Sequence, residues 1–253
     1  MYHQKKRTMD KTKIILAALL AIVMVAGAWL IGKGLTNFRA GEPYINVTGM
    51  AEKQITSDLI VWKVSANAEG PTRSSAFAEY ERVARILRKY LHDNGIAEKS
   101  ISVSSVDISE RTKSFYDEDQ HRYITLSNGY GVSQTFTVSS NNLPIVERVY
   151  QKISELYGSG INFSSEKPLY YYTRLNDLKM EMLNRASANA YERAQTIAKG
   201  SDASVGALVS SSMGVFQIVG LNSDDEYSWG GTFNTSSKEK VASITVRTTY
   251  RVR

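Results

Sequence analysis

Side chains able to do chemistry gather at four places in this sequence. Asp117-Glu118-Asp119 with His121 offers carboxylates and an imidazole of the kind that hold a cation. Asp224-Asp225-Glu226 repeats the acidic part of that pattern further on. Tyr170-Tyr171-Tyr172 and Trp229-Gly230-Gly231 offer aromatic rings, which give a partner subunit or a glycan large contact area at small entropic cost. Each cluster also has a plainer reading. The acid spacing matches no calcium-loop pattern, and charged hairpin tips are ordinarily solvated. Alternate tyrosines of a strand pack on a core while their neighbours lie on the sheet surface. No catalytic, cofactor-binding or metal-ligating residue is therefore assigned, and no cofactor is expected. The tyrosines are read as structural, and the Trp229 loop stays open between contact and structure.

Composition removes much of the remaining chemistry. Cysteine is absent from the 253 residues, which excludes disulfides, thiolate nucleophiles and Cys-ligated metals. Only His3, His92 and His121 remain as imidazole bases. There is no Walker loop, G-x-S-x-G elbow, H-E-x-x-H helix or dinucleotide fingerprint. Asn46-Val47-Thr48, Asn162-Phe163-Ser164 and Asn234-Thr235-Ser236 fit the glycosylation triplet, which also arises by chance, and the first two fall in expected strands.

The formal charge of +6 and a pI near 9.3 would suit a nucleic acid, yet the excess is local. Residues 1–40 hold seven cations and one anion, leaving 24 of each sign in residues 41–253. A neutral body gives no electrostatic ground for binding DNA or RNA.

The basic tail leads into Ile14–Gly32, nineteen residues without a charge and, as a helix, roughly 30 Å long. Lys5, Lys6, Arg7, Lys11 and Lys13 precede it, so the positive-inside rule keeps the N-terminus in the cytoplasm. Trp29 suits the far interface. The expected organisation is a cytoplasmic tail 1–13, a transmembrane signal anchor 14–32, a linker 33–43 and an exported domain 44–253. Ala26-Gly27-Ala28 also fits a signal-peptide cleavage pattern, so release to the periplasm after cleavage near Ala28 is the alternative. Continuation of the apolar run through Trp29-Leu30-Ile31 favours the anchor.

Within the body, Tyr44–Gly49 reads as a first strand and Ile55–Ala68 as a second. A helix opens at Gly70-Pro71, with the proline in its first turn, and stops at Asn94-Gly95. Ile101–Ser109 follows as a strand whose inward parity slips, which implies a bulge near Ser104-Ser105 that keeps both apolar pairs facing the core. Arg111–Arg122 reads as a loop and Tyr123–Ser139 as the return strand. A second helix starts at Asn141-Asn142 and ends at Gly158-Ser159-Gly160. Ile161–Tyr172 is a strand, Thr173–Lys199 a long helix with an alanine stripe, and Ser204–Val219 and Lys238–Arg253 the last strands. They flank a Gly/Ser/Asn/Asp-rich loop, Gly220–Ser237. The class is α+β, with three helices on one face of a largely antiparallel, open seven-stranded sheet whose final strand supplies an edge.

That order, together with several short stretches, resembles the SIMPL-domain family of exported bacterial proteins. The stretches are Ile45-Asn46-Val47-Thr48-Gly49, Gly95-Ile96 with Ile101 and Ser104-Ser105, and Gly129-Tyr130 through Val132–Val138. Ala186, Ala190, Arg193-Ala194 and Ala198 in the long helix and Val241-Ala242-Ser243-Ile244-Thr245-Val246 complete the set. The resemblance spans about Tyr44–Arg253. It implies an envelope protein without established catalytic residues, members that form ring-like homo-oligomers, and a link to oxidative-stress tolerance.

The function expected from these readings is a membrane-anchored, non-enzymatic envelope protein. Its body self-assembles and serves as a scaffold or stress-protective module, with its client unknown. A hydrolase or ligand-binding protein that uses paired carboxylates alone is one alternative. A pore built from bundled N-terminal helices is another, although Ile14–Gly32 carries no polar side chain to line a water path.

Overall fold

The computed structural model describes residues 11–39, 43–226 and 228–253. Residues 1–10 of the expected basic tail and 40–42 of the expected linker lie outside the described residues. Helix α1 (Lys11–Arg39) contains the stretch Lys13–Lys33, of which nothing is buried and which is long and apolar enough to cross a membrane. At its far end the Lys33 ammonium lies 4.8 Å over the ring of Trp29, one turn back on the same helix face.

The body is α+β, as the pattern predicts. Its elements run β1 (Tyr44–Thr56), β2 (Leu59–Gly70), α2 (Arg73–Asp93), β3 (Ile101–Val103), β4 (Asp107–Asp117) and β5 (Arg122–Ser140). Then come α3 (Leu143–Lys152, continued by a 3-10 helix to Ser159), β6 (Asn162–Ser165), β7 (Leu169–Tyr171) and α4 (Leu175–Lys199). The chain ends with β8 (Val205–Met213), β9 (Gln217–Gly220) and β10 (Glu239–Val252). It divides into two compact units, residues 1–47, 193–211 and 248–253, and residues 48–192 and 212–247.

The expected single seven-stranded sheet is corrected to ten strands in two sheets. Six strands run in the order β3-β5-β2-β6, with β4 also beside β5 and β7 also beside β2. Four run β1-β10-β8, with β9 also on β10. The final strand is therefore interior rather than an edge. Each sheet has its own core. Ile60, Trp62, Val64 and Ala66 of β2 meet Phe136 and Val138 of β5 under α2 and α3. Ala51 and Ile55 of β1 meet Leu178, Met182 and Ala186 of α4 and Ala242, Ile244 and Val246 of β10.

Apolar alternation runs straight across the places where the chain changes sheets. The expected strand Ile55–Ala68 breaks at Ser57-Asp58. There the Ser57 amide donates to the O of Lys238, the residue before β10 (3.0 Å), and the next amide, of Asp58, to Tyr171 O of β7 (2.9 Å), so two successive residues turn towards different sheets. The expected strand Ile161–Tyr172 is likewise two short strands on β2. At the expected bulge, the Ser104 hydroxyl stands in the ladder and accepts from Thr135 N at 3.1 Å. Ile101 and Val106 reach the core there, but Val103 and Ile108 are exposed, against the expected inward set. Arg111–Arg122 is not a loop but a ladder that closes only at Asp117–Arg122.

Local signals explain the helices. Thr72 caps α2: its Oγ1 accepts from Ser75 N (3.2 Å) while Ser75 Oγ accepts from Thr72 N (3.1 Å). Pro71 thus precedes the cap instead of filling the first turn. Gly95, at φ +92°, ends the segment as expected.

Helix α4 lies directly on β1. A Cβ built on Gly49 would sit 2.1 Å from Ala186 O and 2.5 Å from Ala190 N, so only glycine fits at this point of the crossing. Gly49→Ala should cost about 3 kcal/mol and lower Tm by roughly 6–12 °C in thermal melts. Gly158→Ala, whose new methyl meets nothing within 4 Å, should stay within about 0.5 kcal/mol of wild type. Equal effects of the two changes would contradict this packing.

Candidate functional site

The segment between β9 and β10, residues 221–238, reads as a loop by composition yet is a built element. Lys240, the second residue of β10, has none of its surface exposed. Its ammonium donates to Asn234 O (2.8 Å), Asn234 Oδ1 (3.3 Å) and Ser237 O. The Asp225 carboxylate accepts from Gly220 N (2.8 Å), Ser223 Oγ (2.8 Å) and Asn234 Nδ2 (2.7 Å). Asn234 therefore joins the acid to the cation through its own amide. Gln217 adds a second clasp, donating to Ser228 O (2.6 Å) and accepting from Thr232 N (2.6 Å). The return passes through Gly231 at φ +96°, and Phe233 then bridges Ile218 in parallel.

The result is a rigidly tied loop that presents Trp229 with its whole surface exposed. Beside it lies a cleft of about 630 Å³ lined by Met50, Val215, Gln217, Ile244 and Thr245. Its walls are mostly apolar, with Gln217 and Thr245 among the polar side chains that line it. All three ammonium protons of Lys240 are taken by oxygen acceptors, so this buried lysine anchors the loop. Burial pushes its pKa down to about 8, against a partial opposing pull from Asp225. The N–H of Gly220, followed by Ser223 and Asn234, holds the Asp225 carboxyl below the usual carboxylate range.

The residues singled out by type fall in different settings. Asp117 ends β4, and its Oδ1 accepts from Asp119 N (2.9 Å) and Gln120 N (3.1 Å), while His121 turns the chain at φ +48°. Among the described residues no three His, Asp or Glu side chains converge as metal ligands. Of Asp224-Asp225-Glu226, Asp225 is turned inward as a structural acceptor. Tyr170 packs on the β2 core and Tyr172 on the α4 core, while Tyr171 lies against Phe233 with ring centres 6.4 Å apart. Burial, with Glu147 nearby, pushes the Tyr170 phenol up to about 12. Two acids, Glu69 and Asp107, share a separate polar cleft of about 330 Å³, where Arg111 pairs with Glu69. The sequon residue Asn234 is buried in the loop's network. Asn234 stands out in the sequence only as a glycosylation triplet, and Lys240 and Gln217 carry no signal as site residues, because a polar side chain in or beside a strand reads as surface.

The lysine gives the loop a signature in pH. Below pH 8 the ammonium is charged in both states, and the fold carries the cost of burying it. Between pH 8 and 10.5 the folded chain sheds a proton that the unfolded chain keeps, so stability rises with pH, by at most about 3 kcal/mol. The raised phenols of Tyr80, Tyr90 and Tyr170 act oppositely, so their contribution is lost as pH climbs above 10, for Tyr170 up to about 12. Denaturant titrations from pH 7 to 12 should show a maximum near pH 10. In Lys240→Met the rising limb should vanish while the falling limb remains. An unchanged rising limb in that variant would assign it to another group.

Comparison with curated proteins finds no match. One family profile, SIMPL, described as proteins of unknown function (DUF541), matches residues 45–252. That span runs from the second residue of β1 to the last of β10 and takes in both sheets, α2, α3, α4 and the Trp229 loop. The chain belongs to the SIMPL family.

Proposed function

We propose that this SIMPL protein is a non-enzymatic envelope scaffold that assembles with copies of itself through the edge of β8. The exposed apolar helix α1 anchors it in the bacterial cytoplasmic membrane, with the cationic tail inside and the body in the periplasm. The assembly is a closed homo-oligomer in which pairs joined at β8 are linked into a ring by a second contact, and its role is protective under oxidative stress. It takes no cofactor and no nucleic acid.

The observation that carries this reading is the contrast between β8 and the other sheet edges. An edge strand exposes unpaired N–H and C=O groups, and proteins blunt such edges with charge, shortness or cover. Strands β3, β6 and β7 are three or four residues long. Strand β4 carries Asp107, Glu110, Arg111, Lys113 and Asp117. Strand β1 carries Glu52 and Lys53, and Met50 N donates to Asn189 Oδ1 of α4 at 3.1 Å. Strand β8, VGALVSSSM, has nine residues with neither charge nor proline, and Ala207 through Met213 are all exposed. It is a long, unprotected template for another strand.

A lysine in mid-edge supplies the missing protection. Leu208→Lys should reduce the full-length chain in detergent from an oligomer to a monomer by light scattering, weakening association at least tenfold, about 1.4 kcal/mol. Helix content should not change, since Leu208 is exposed. A wild-type monomer, or full oligomer mass in the variant, would overturn the reading. Thr245→Pro is no substitute, because Thr245 lies inside β10, which has strands on both sides, and a proline there would disturb the sheet itself rather than its edge.

A further inference from the structure

Past Gly129 the β4–β5 ribbon leaves the six-stranded sheet behind. Strand β2 pairs with β5 only from Tyr130 to Ser140, whereas β4 and β5 stay paired out to Asp117 and Arg122. Six rungs, Thr112–Asp117 against Arg122–Ser127, thus have no third strand, and a two-stranded ribbon alone is marginal in water. The pleat sorts its side chains. One face carries the Ser114 and Thr125 hydroxyls, bonded at 2.7 Å, and the Tyr116 and Tyr123 rings, edge to face at 5.3 Å. The other carries Phe115 opposite Ile124, with Lys113 opposite Leu126 on one side and Asp117 opposite Arg122 on the other.

This second face is apolar at its centre and uncovered. Phe115 and Leu126 are exposed, Ile124 is half-buried, and none of the three belongs to either core. Parity explains why its own helices do not cover it. Tyr130, Val132, Phe136 and Val138 face the helices, and Glu110, paired with Tyr130, shares that side with Thr112 and Ser114 along β4. Phe115 therefore lies on the helix-free side, which nearer the body is polar, with Lys63, Ser65 and Asn67.

We propose that this ribbon face docks on the same face of a second copy of the chain. The proposal rests on the self-assembly reading above. Its ground is charge complementarity. Along β4 the order is cation, aromatic, anion: Lys113, Phe115, Asp117. Two such faces stacked with strands reversed, about an axis through the Phe115–Ile124 rung, place each Lys113 over the other copy's Asp117. Phe115 then meets Phe115, Ile124 meets Ile124, and Leu126 lies along the Arg122 stem. No like charges oppose, and the apolar centre gains a charged rim, the usual anatomy of an interface. Six side chains bury far less than the roughly 1,000 Å² a free-standing interface needs, so the ribbons join copies already held at β8.

The cysteine-free chain makes the test clean. Stacked sheets lie ~10 Å apart, too far for a direct disulfide, so a bismaleimide of roughly that reach is the probe. Full-length Ile124→Cys in detergent should form linked dimers at least tenfold faster than Ser114→Cys, which places the thiol on the opposite face. The Leu208→Lys background should abolish the linking. Equal linking at both positions, or none at Ile124→Cys in a chain of oligomeric mass, overturns the ribbon contact and leaves assembly through β8 standing. A monomeric mass for the unsubstituted chain overturns both. Protection of the Ile124→Cys thiol by vesicles of phosphatidylethanolamine and phosphatidylglycerol, rather than by protein concentration, assigns the face to lipid and also overturns it.

Discussion

The backbone-to-backbone approach of α4 and β1 at Gly49 decides which edge of the four-stranded sheet is left open. With Ala186 and Ala190 on the helix and no side chain on the strand, the two elements come close enough for Asn189 to take the outward amide of Met50. The same closeness brings Glu181 to Lys53, whose ion pair spans 2.6 Å. That edge is thereby covered and charged. Strand β10 is flanked on both sides, so β8 is left as the open long edge of this sheet. A helix stripe of alanines thus has a consequence on the far side of the sheet.

A second constraint shapes the six-stranded sheet. Its helices lie on one side only, so every residue on the other parity must be polar or find cover from elsewhere. Near the body that rule is met by lysine, serine and asparagine. On the ribbon it is broken by three neighbouring apolar side chains, and the break falls where the chain has no helix left to supply. The Trp229 loop follows a different logic, since its polar groups are satisfied internally through Asp225, Asn234 and Lys240. The Trp229 ring at its tip is left for contact.

Much of this architecture is legible in the residues, and the failures share a cause. Periodicity located α2, α3 and α4 because a 3.6-residue apolar stripe has no competing reading over ten or more residues. Strand boundaries were less accessible. Alternation is indifferent to which partner a strand has, so it passes unchanged through Ser57-Asp58, where the chain moves between sheets. It also cannot tell an interior strand from an edge, which is why β10 looked terminal in space as well as in sequence. The ribbon was hidden because its tyrosines and threonines face one way and only three apolar residues face the other. At the candidate site, Trp229 and Asp225 stood out by type, but the inward turn of Asp225 and the burial of Lys240 depend on loop geometry that no short motif encodes. The family resemblance drew on short stretches around Gly49 and the α4 alanines, residues that the packing makes hard to replace.

The central claim is that the outer edge of β8, the side away from β10, is open in the single chain and paired in the assembly. Hydrogen exchange of the β8 amides in the full-length chain, followed across protein concentration, tests it most directly. The account predicts that the outward-facing amides between Ala207 and Met213 are protected at high concentration and lose protection on dilution, while Met50 stays protected throughout. Exchange at β8 that is fast and independent of concentration would contradict it.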